Sequence, residues 1–249
     1  MTTRLEAPAQ EPRNVNPARG GEVHLAGVAR NFGGVQALEG VDLDVAPCEV
    51  VAVVGPSGCG KTTLLELVCR LQSPDAGSLR ADPAVLMPQR DGLLPWLSAI
   101  DNAALAPRLA GASRQQARVR AHPLFAAFGL EGFERARPHQ LSGGMRQRVA
   151  FLRTLLSGKP VLCLDEPFAS LDALTRREMQ EWLAGALRRE PRTVLLVTHD
   201  VEEAATLADR VLVMSPRPGR VVAELPVGAS RGAAEVLAVR ERALEALRS

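Results

Sequence analysis

The sequence predicts an α/β fold, a mostly parallel sheet with helices against it and a helical insertion. Three observations predict it. Val50-Val51-Ala52-Val53-Val54, Val161-Leu162-Cys163-Leu164 and Val194-Leu195-Leu196-Val197 are short, unbroken apolar runs, as expected of strands covered on both faces. A helical stretch follows each run, at about 60–71, 171–189 and 200–208. Strand, turn and helix in alternation argue for right-handed crossovers onto a parallel sheet. Residues from about 99 to 157 break the alternation: they are rich in Ala, Leu and Arg and carry no strand pattern.

The segments follow in order. Residues 1–21 hold Pro8, Pro12 and Pro17 with few apolar groups and read as a flexible tail. The main domain is expected over 22–228. In the central region Pro107, Gly111, Pro123, Gly129 and Pro138 are expected to cut the chain into short helices. In the stretch 171–189, Met179, Trp182, Leu183, Ala186 and Leu187 recur at helical spacing and form one apolar stripe. Residues 229–249 read as a terminal helix.

Composition narrows the function. The chain has 249 residues, 46% hydrophobic and 23% charged, which excludes a disordered or collagen-like protein. Thirty basic residues against 28 acidic leave a net charge of +2, no basic bias for a polyanion partner. Cys48, Cys59, Cys69 and Cys163 show no zinc spacing and read as reduced thiols. No apolar run reaches the ~18 residues of a membrane span, and no signal peptide is evident. A membrane role then needs a partner chain.

Gly55-Pro56-Ser57-Gly58-Cys59-Gly60-Lys61-Thr62-Thr63 fits G-x-x-x-x-G-K-[ST], between an apolar strand and a helix. Glycines let the backbone curl so that several N–H groups meet one anion at a helix N-terminus. Lys61 adds a compact charge for the β- and γ-phosphates, and the Thr62 hydroxyl can bind Mg²⁺. Lysine is rare here: the chain holds Lys61 and Lys159 and otherwise uses arginine. A second apolar strand ends in Asp165-Glu166-Pro167. Asp165 at that strand's C-terminal edge would hold Mg²⁺ through water, and Glu166 would take the proton of an attacking water. The ordinary alternatives are a glycine turn for the first motif and an acidic helix start for the second.

Leu141-Ser142-Gly143-Gly144-Met145-Arg146-Gln147-Arg148 lies between those motifs. With it the chain, from about Val23 to Val222, resembles the ATP-binding subunits of ABC transporters. The resemblance implies a P-loop NTPase fold with an antiparallel β edge and a helical subdomain at about 90–157. It implies ATP and Mg²⁺ as ligands and a homodimer that sandwiches two nucleotides. Ser142, Gly143 and Gly144 look like the signature that meets the γ-phosphate held by the opposing subunit. Gln89 looks like the Gln of the Q-loop, which senses Mg²⁺ and water. Ser170-Leu171-Asp172 looks like the D-loop, and His199 like the switch histidine. Phe32 sits where the family often stacks a tyrosine on adenine; a core phenylalanine is the alternative.

The spacing from Gln89 to Leu141 suits a compact helical subdomain, not a long coiled coil. Asp91-Gly92-Leu93-Leu94-Pro95-Trp96-Leu97 stands where importers of the family receive a short helix of the membrane subunit; internal packing of Trp96 is the alternative. Leu93-Leu94-Pro95-Trp96-Leu97, Asp165-Glu166-Pro167-Phe168, Leu171-Asp172-Ala173-Leu174-Thr175-Arg176 and Met214-Ser215-Pro216-Arg217-Pro218-Gly219-Arg220 resemble the nitrate/sulfonate/taurine importer branch, which also holds importers of thiamine pyrimidine precursors. The stretch from Pro74 to Met87 is short for that branch, so a β edge is expected to be trimmed. The resemblance implies two transmembrane permease subunits as partners and, through them, an external solute-binding protein. It places the chain on the cytoplasmic face of a bacterial inner membrane, with no nucleic acid partner. The competing class is a soluble ABC ATPase acting on nucleic acid or the ribosome.

Overall fold

Apolar runs as dense as Val50–Val54 need cover on both faces, and the computed structural model supplies it. It describes residues 20–169, 171–228 and 232–248. The tail expected over 1–21 lies outside them except for Gly20 and Gly21, which are packed: the Thr193 hydroxyl donates to Gly21 O at 2.5 Å. The central sheet contains β3 (Val50–Val54), β5 (Ala84–Met87), β6 (Val161–Asp165), β7 (Thr193–Val197), β8 (Arg210–Met214) and β9 (Val221–Pro226). Its order is β5-β6-β7-β3-β8-β9, parallel except for β9, which runs antiparallel to β8.

Side chains alternate between the faces of these strands. Val51, Val53, Val161, Cys163, Leu195, Val197, Leu212 and Met214 point to one side. They pack on α1 (Lys61–Val68) and on a second, antiparallel sheet of order β2-β1-β4, built from β1 (Val23–Phe32), β2 (Val35–Val45) and β4 (Ala76–Ala81). The β1–β2 turn is Gly33-Gly34, with φ of +52° and +87°, the geometry a two-residue hairpin of right-handed twist demands. The segment expected to be a trimmed edge divides between sheets: β4 pairs with β1 and β5 with β6. Ala52, Val54, Leu162, Leu164, Val194, Leu196, Val211 and Val213 point the other way, into the helices.

Those helices include the central insertion. It holds α2 (Ala99–Ala103), α3 (Leu105–Leu109), α4 (Arg114–Ala127) and α5 (Gly143–Leu155). Ser113 and Gln116 form a reciprocal cap that starts α4. Pro123 does not end α4, contrary to expectation, and Pro107 lies within α3. Pro123 is exposed, and the carbonyl it leaves without a helical donor, on Val119, belongs to a residue that is itself exposed. Ala117, Ala121 and Phe125, four apart and fully buried, hold both halves of the helix to the core. After β6 comes α6 (Ala173–Arg189), after β7 comes α7 (Val201–Leu207), and α8 (Ala233–Ala246) packs on α7 and β9. Among the described residues no helix is long and apolar enough to cross a membrane.

Candidate functional site

The parallel strands β3, β6 and β7 all deliver their C-terminal ends to one edge of the sheet, where α/β folds bind ligands. After β3 the loop turns through Gly58 at φ +77° and Gly60 at φ +102°. Glycine is required at 60: a Cβ there would sit 2.7 Å from Leu38 Cδ2 and 2.8 Å from Ala37 O. Around Gly55 the space is also closed, since a Cβ would lie 2.8 Å from Met214 O. Cys59 is buried and its N–H turns back to Pro56 O at 3.3 Å, while Ser57 is exposed. The first bond of α1 runs from Leu64 N to Gly60 O, so the N–H groups of Lys61, Thr62 and Thr63 precede the helical ladder. Lys61 is 6% exposed, and its Nζ donates to Gly55 O at 2.8 Å and Pro56 O at 3.0 Å, which curls the ammonium over the loop.

Asp165 ends β6 beside that loop. The Thr62 hydroxyl donates to Asp165 Oδ2 at 3.0 Å. Burial pushes the Asp165 carboxyl up, opposed by the Thr62 bond and assisted by the Glu166 charge next to it. Two hard oxygen donors so close fit Mg²⁺, which takes few protein ligands and keeps several waters.

Glu166 is in the left-handed region, at φ +44°. A non-glycine residue pays for this by about 1–3 kcal/mol and stays there only if its surroundings hold it. Its N–H donates to Val197 O at 2.8 Å and its carbonyl accepts from Ala169 N at 3.2 Å. Two further groups meet its side chain: Gln89 Nε2 donates to Glu166 Oε2 at 3.0 Å, and His199 Nδ1 lies 3.4 Å from the same oxygen. Gln89 follows β5, and His199 follows β7.

The remaining expected residues lie elsewhere. Ser142 caps α5 by accepting from Met145 N at 3.2 Å. A Cβ on Gly144 would meet Thr175 Cγ2 at 2.8 Å, and one on Gly143 would meet Leu171 Cδ2 at 4.0 Å, so this turn packs on the start of α6. Asp172 caps α6, accepting from Thr175 N at 3.1 Å and its hydroxyl at 2.7 Å, bonds that lower its carboxyl from the usual range. Ser170 lies outside the described residues. The α5 end is tied to the Gln89 segment: Arg146 Nε donates to Asp91 Oδ2 at 3.0 Å and Gln147 Nε2 to Gln89 O at 3.4 Å. Phe32 is 40% exposed at the end of β1 with the Arg30 guanidinium 4.7 Å over its ring, so it is not a core residue.

Two groups near this edge went unnoticed in the sequence. Arg217 Nε donates to Gly58 O at 3.0 Å; its phrase served only as a mark of resemblance. Behind His199, Asp200 caps α7 and Glu203 is 5% exposed. Burial first, then the Asp200 charge, pushes the Glu203 carboxyl up to about 7, while bonds from Thr198 and Gln180 and the charge of Arg176 oppose the rise. Its Oε1 has no hydrogen-bond partner among the described residues. Only the acidic residue in a short helix was visible in the sequence, not what covers it.

Comparison with known proteins agrees with this geometry. A family model described as ABC transporter matches residues 38–169. The taurine import ATP-binding protein TauB of Yersinia pestis is 42% identical over 222 residues, 86% of this chain and 87% of that one. The formylaminopyrimidine import ATP-binding protein ThiZ of Halalkalibacterium halodurans is 46% identical over 184 residues, 73% and 74% of the two chains. Among solved structures, a dimeric post-hydrolysis state of the ATP-binding cassette MJ0796 bound to ADP and Pi superposes with a TM-score of 0.72 at 29% identity, covering 83% of this chain and 99% of that one. On the family match and the identity and coverage shared with these relatives, the chain belongs to the ABC transporter family, as one of its ATP-binding, ATP-hydrolysing subunits.

Proposed function

We propose that the chain energises a bacterial importer of small solutes of the nitrate, sulfonate, taurine or thiamine-pyrimidine type. The observation that carries the catalytic part is the meeting of Gln89 and His199 on one oxygen of Glu166, beside the Thr62–Asp165 pair. The cargo class rests on the likeness to TauB and ThiZ.

In this reading Gly55 to Thr63 wraps the phosphates with backbone N–H groups, and Lys61 balances their charge. Thr62 and Asp165, with Gln89, hold Mg²⁺, which when bound supplies charge for the β- and γ-oxygens. Glu166 accepts a proton from the attacking water at the γ-phosphate, while Gln89 and His199 fix the carboxylate's direction. Phe32 stacks on adenine. Ser142, Gly143 and Gly144 serve the nucleotide of a second copy, as Asp172 serves the interface between copies. ATP closes such a dimer because the closed state binds it better, and hydrolysis reopens it. The dimeric cassette structure supports the homodimer.

The surface beside Trp96 suits the permease. Trp96 is 67% exposed, which argues against internal packing, and it borders a cleft of about 1090 Å³ shared with Asp101, Arg114 and Arg118. A short helix of a membrane subunit would seat there. Such a contact would put the chain at the cytoplasmic face of the inner membrane, with an external binding protein reached only through the permeases.

The test is uptake of labelled taurine, an alkanesulfonate, nitrate and a thiamine-type pyrimidine in cells carrying the wild type or Glu166→Gln. The isostere keeps the acceptor for Gln89 but loses the base, so hydrolysis should fall by about 10²–10⁴-fold and one compound's uptake with it. Normal turnover by the variant sinks the general-base role. Lost turnover with no change in uptake of any compound removes this cargo class.

A further inference from the structure

The phrase Ser215-Pro216-Arg217-Pro218-Gly219-Arg220 takes no part in the chemistry above, yet it lies on the phosphate loop. It leaves the C-terminal end of β8, the strand next to β3, and so emerges beside Gly55. Arg217 Nε donates to Gly58 O at 3.0 Å, and its Nη2 lies 3.2 Å from where a Cβ on Gly58 would sit. Gly219 is buried two residues on. Its N–H donates to Ala37 O and its carbonyl accepts from Glu39 N, both at 3.0 Å. A Cβ on Gly219 would be 2.0 Å from Cys59 O, so the backbone lies flat against the loop. Arg220 pairs with Glu39 and closes the strap onto β2. Gly58, Cys59 and Gly60 are thus each met from outside, by Arg217, by Gly219 and by Ala37 with Leu38.

We propose that Arg217 is a positioning residue for nucleotide binding, acting through the Gly58 carbonyl and not on the nucleotide itself. This rests on reading Gly55 to Thr63 as the phosphate loop. The peptide between Gly58 and Cys59 is planar, so holding its carbonyl fixes the whole peptide plane, including the Cys59 N–H that bonds Pro56 O across the loop. Gly58 at φ +77° has no side chain to restrict it, and an unheld loop must be ordered at the moment of binding. A guanidinium donor makes a stronger bond than a neutral one and polarises the peptide, which strengthens the Cys59 N–H bond to Pro56 O and stiffens the loop before nucleotide arrives. Because the brace acts on the loop that wraps every phosphate chain, it serves ADP and ATP alike.

The experiment compares full-length wild type, Arg217→Ala, Arg217→Lys and Lys61→Ala. Affinity is titrated for ADP and for a non-hydrolysable ATP analogue, steady-state ATP hydrolysis is followed, and Tm is measured without nucleotide. The expected result for Arg217→Ala is about fivefold weaker binding of both nucleotides. KM rises by the same factor while kcat stays within about twofold, the pattern of lost uniform binding. Arg217→Lys recovers part of the affinity, because an ammonium can still donate to Gly58 O. Unchanged affinity overturns the proposal, with or without a lower Tm. So does a loss confined to the ATP analogue, which would put Arg217 on the terminal phosphate. A fall in kcat at constant KM also overturns it. Nucleotide affinity undiminished in Lys61→Ala would bring down the phosphate-loop reading itself, a failure visible apart from any result at Arg217.

Discussion

Glu203→Gln converts a buried acid that changes charge near neutral pH into a neutral amide of the same shape. In the fold this carboxyl titrates at about 7 instead of its ordinary 4.5. The folded chain therefore keeps, between those values, a proton that the unfolded chain has released. Stability falls as pH rises through that window, because the unfolded state binds fewer protons there. At about 1.4 kcal/mol for each pH unit, the loss reaches about 3 kcal/mol above pH 7. Glutamine retains an oxygen for Thr198 and Gln180 and carries no charge at any pH. Urea unfolding of wild type and variant at pH 4.5 and pH 8 isolates the effect, since every other titrating group is common to both. The variant should gain about 3 kcal/mol on the wild type between the two conditions. A stability difference that is the same at both pH values would refute the reasoning: Glu203 would then titrate in the fold as it does in the unfolded chain.

Asp101→Ala removes a carboxylate, 2% exposed, that accepts from Arg114 at 3.1 and 2.7 Å, from Arg118 at 2.8 and 2.7 Å and from the Ser98 hydroxyl at 2.9 Å. Both arginines reach water, so the cost should be about 2 kcal/mol in a urea titration, below that of a fully buried pair, with ATP affinity unchanged. Those arginine bonds hold the Asp101 carboxyl well below the usual range. Its contribution is therefore complete above about pH 4 and is lost as pH falls below that, so the Ala variant should show the smaller acid sensitivity. Gly60→Ala places a Cβ 2.7 Å from Leu38 Cδ2 at φ +102°. Nucleotide affinity should drop by more than about tenfold, read by ADP titration, and near-wild-type affinity would mean that β2 can yield.

How much of this was legible depends on the range of the interactions. The strand runs announced themselves because a strand covered on both faces has no polar register, as Val51 and Ala52 on opposite sides of β3 illustrate. The loop from Gly55 to Thr63 is a local pattern and reads locally. Pro123 misled because proline is a local signal, whereas the buried stripe Ala117, Ala121 and Phe125 that overrides it is tertiary. Arg217 meets a residue 159 positions away, and no spacing rule points from one to the other. Gln180 reaches Glu203 from a different helix. The Asp101 cluster left a usable trace: Arg114 and Arg118 stand four apart, on one face of α4, after a Ser98-x-x-Asp101 helix start.

The order of the central sheet has a consequence for how the chain acquires its activity. β3 sits between β7 and β8, strands that follow it only after the whole helical insertion has been made. During synthesis the phosphate loop is complete early but has neither neighbour, while α2 to α5 can assemble from contacts close in sequence. Distant parallel pairing is slow, because the ends of a long loop must be brought together before any contact rewards them. A chain arrested before Thr193 would carry the loop motif without the strands that set its edge. Nucleotide, binding only the finished arrangement, would then act as a ligand that pulls the last step to completion. Its presence should raise the yield of refolded protein as well as the stability of the product.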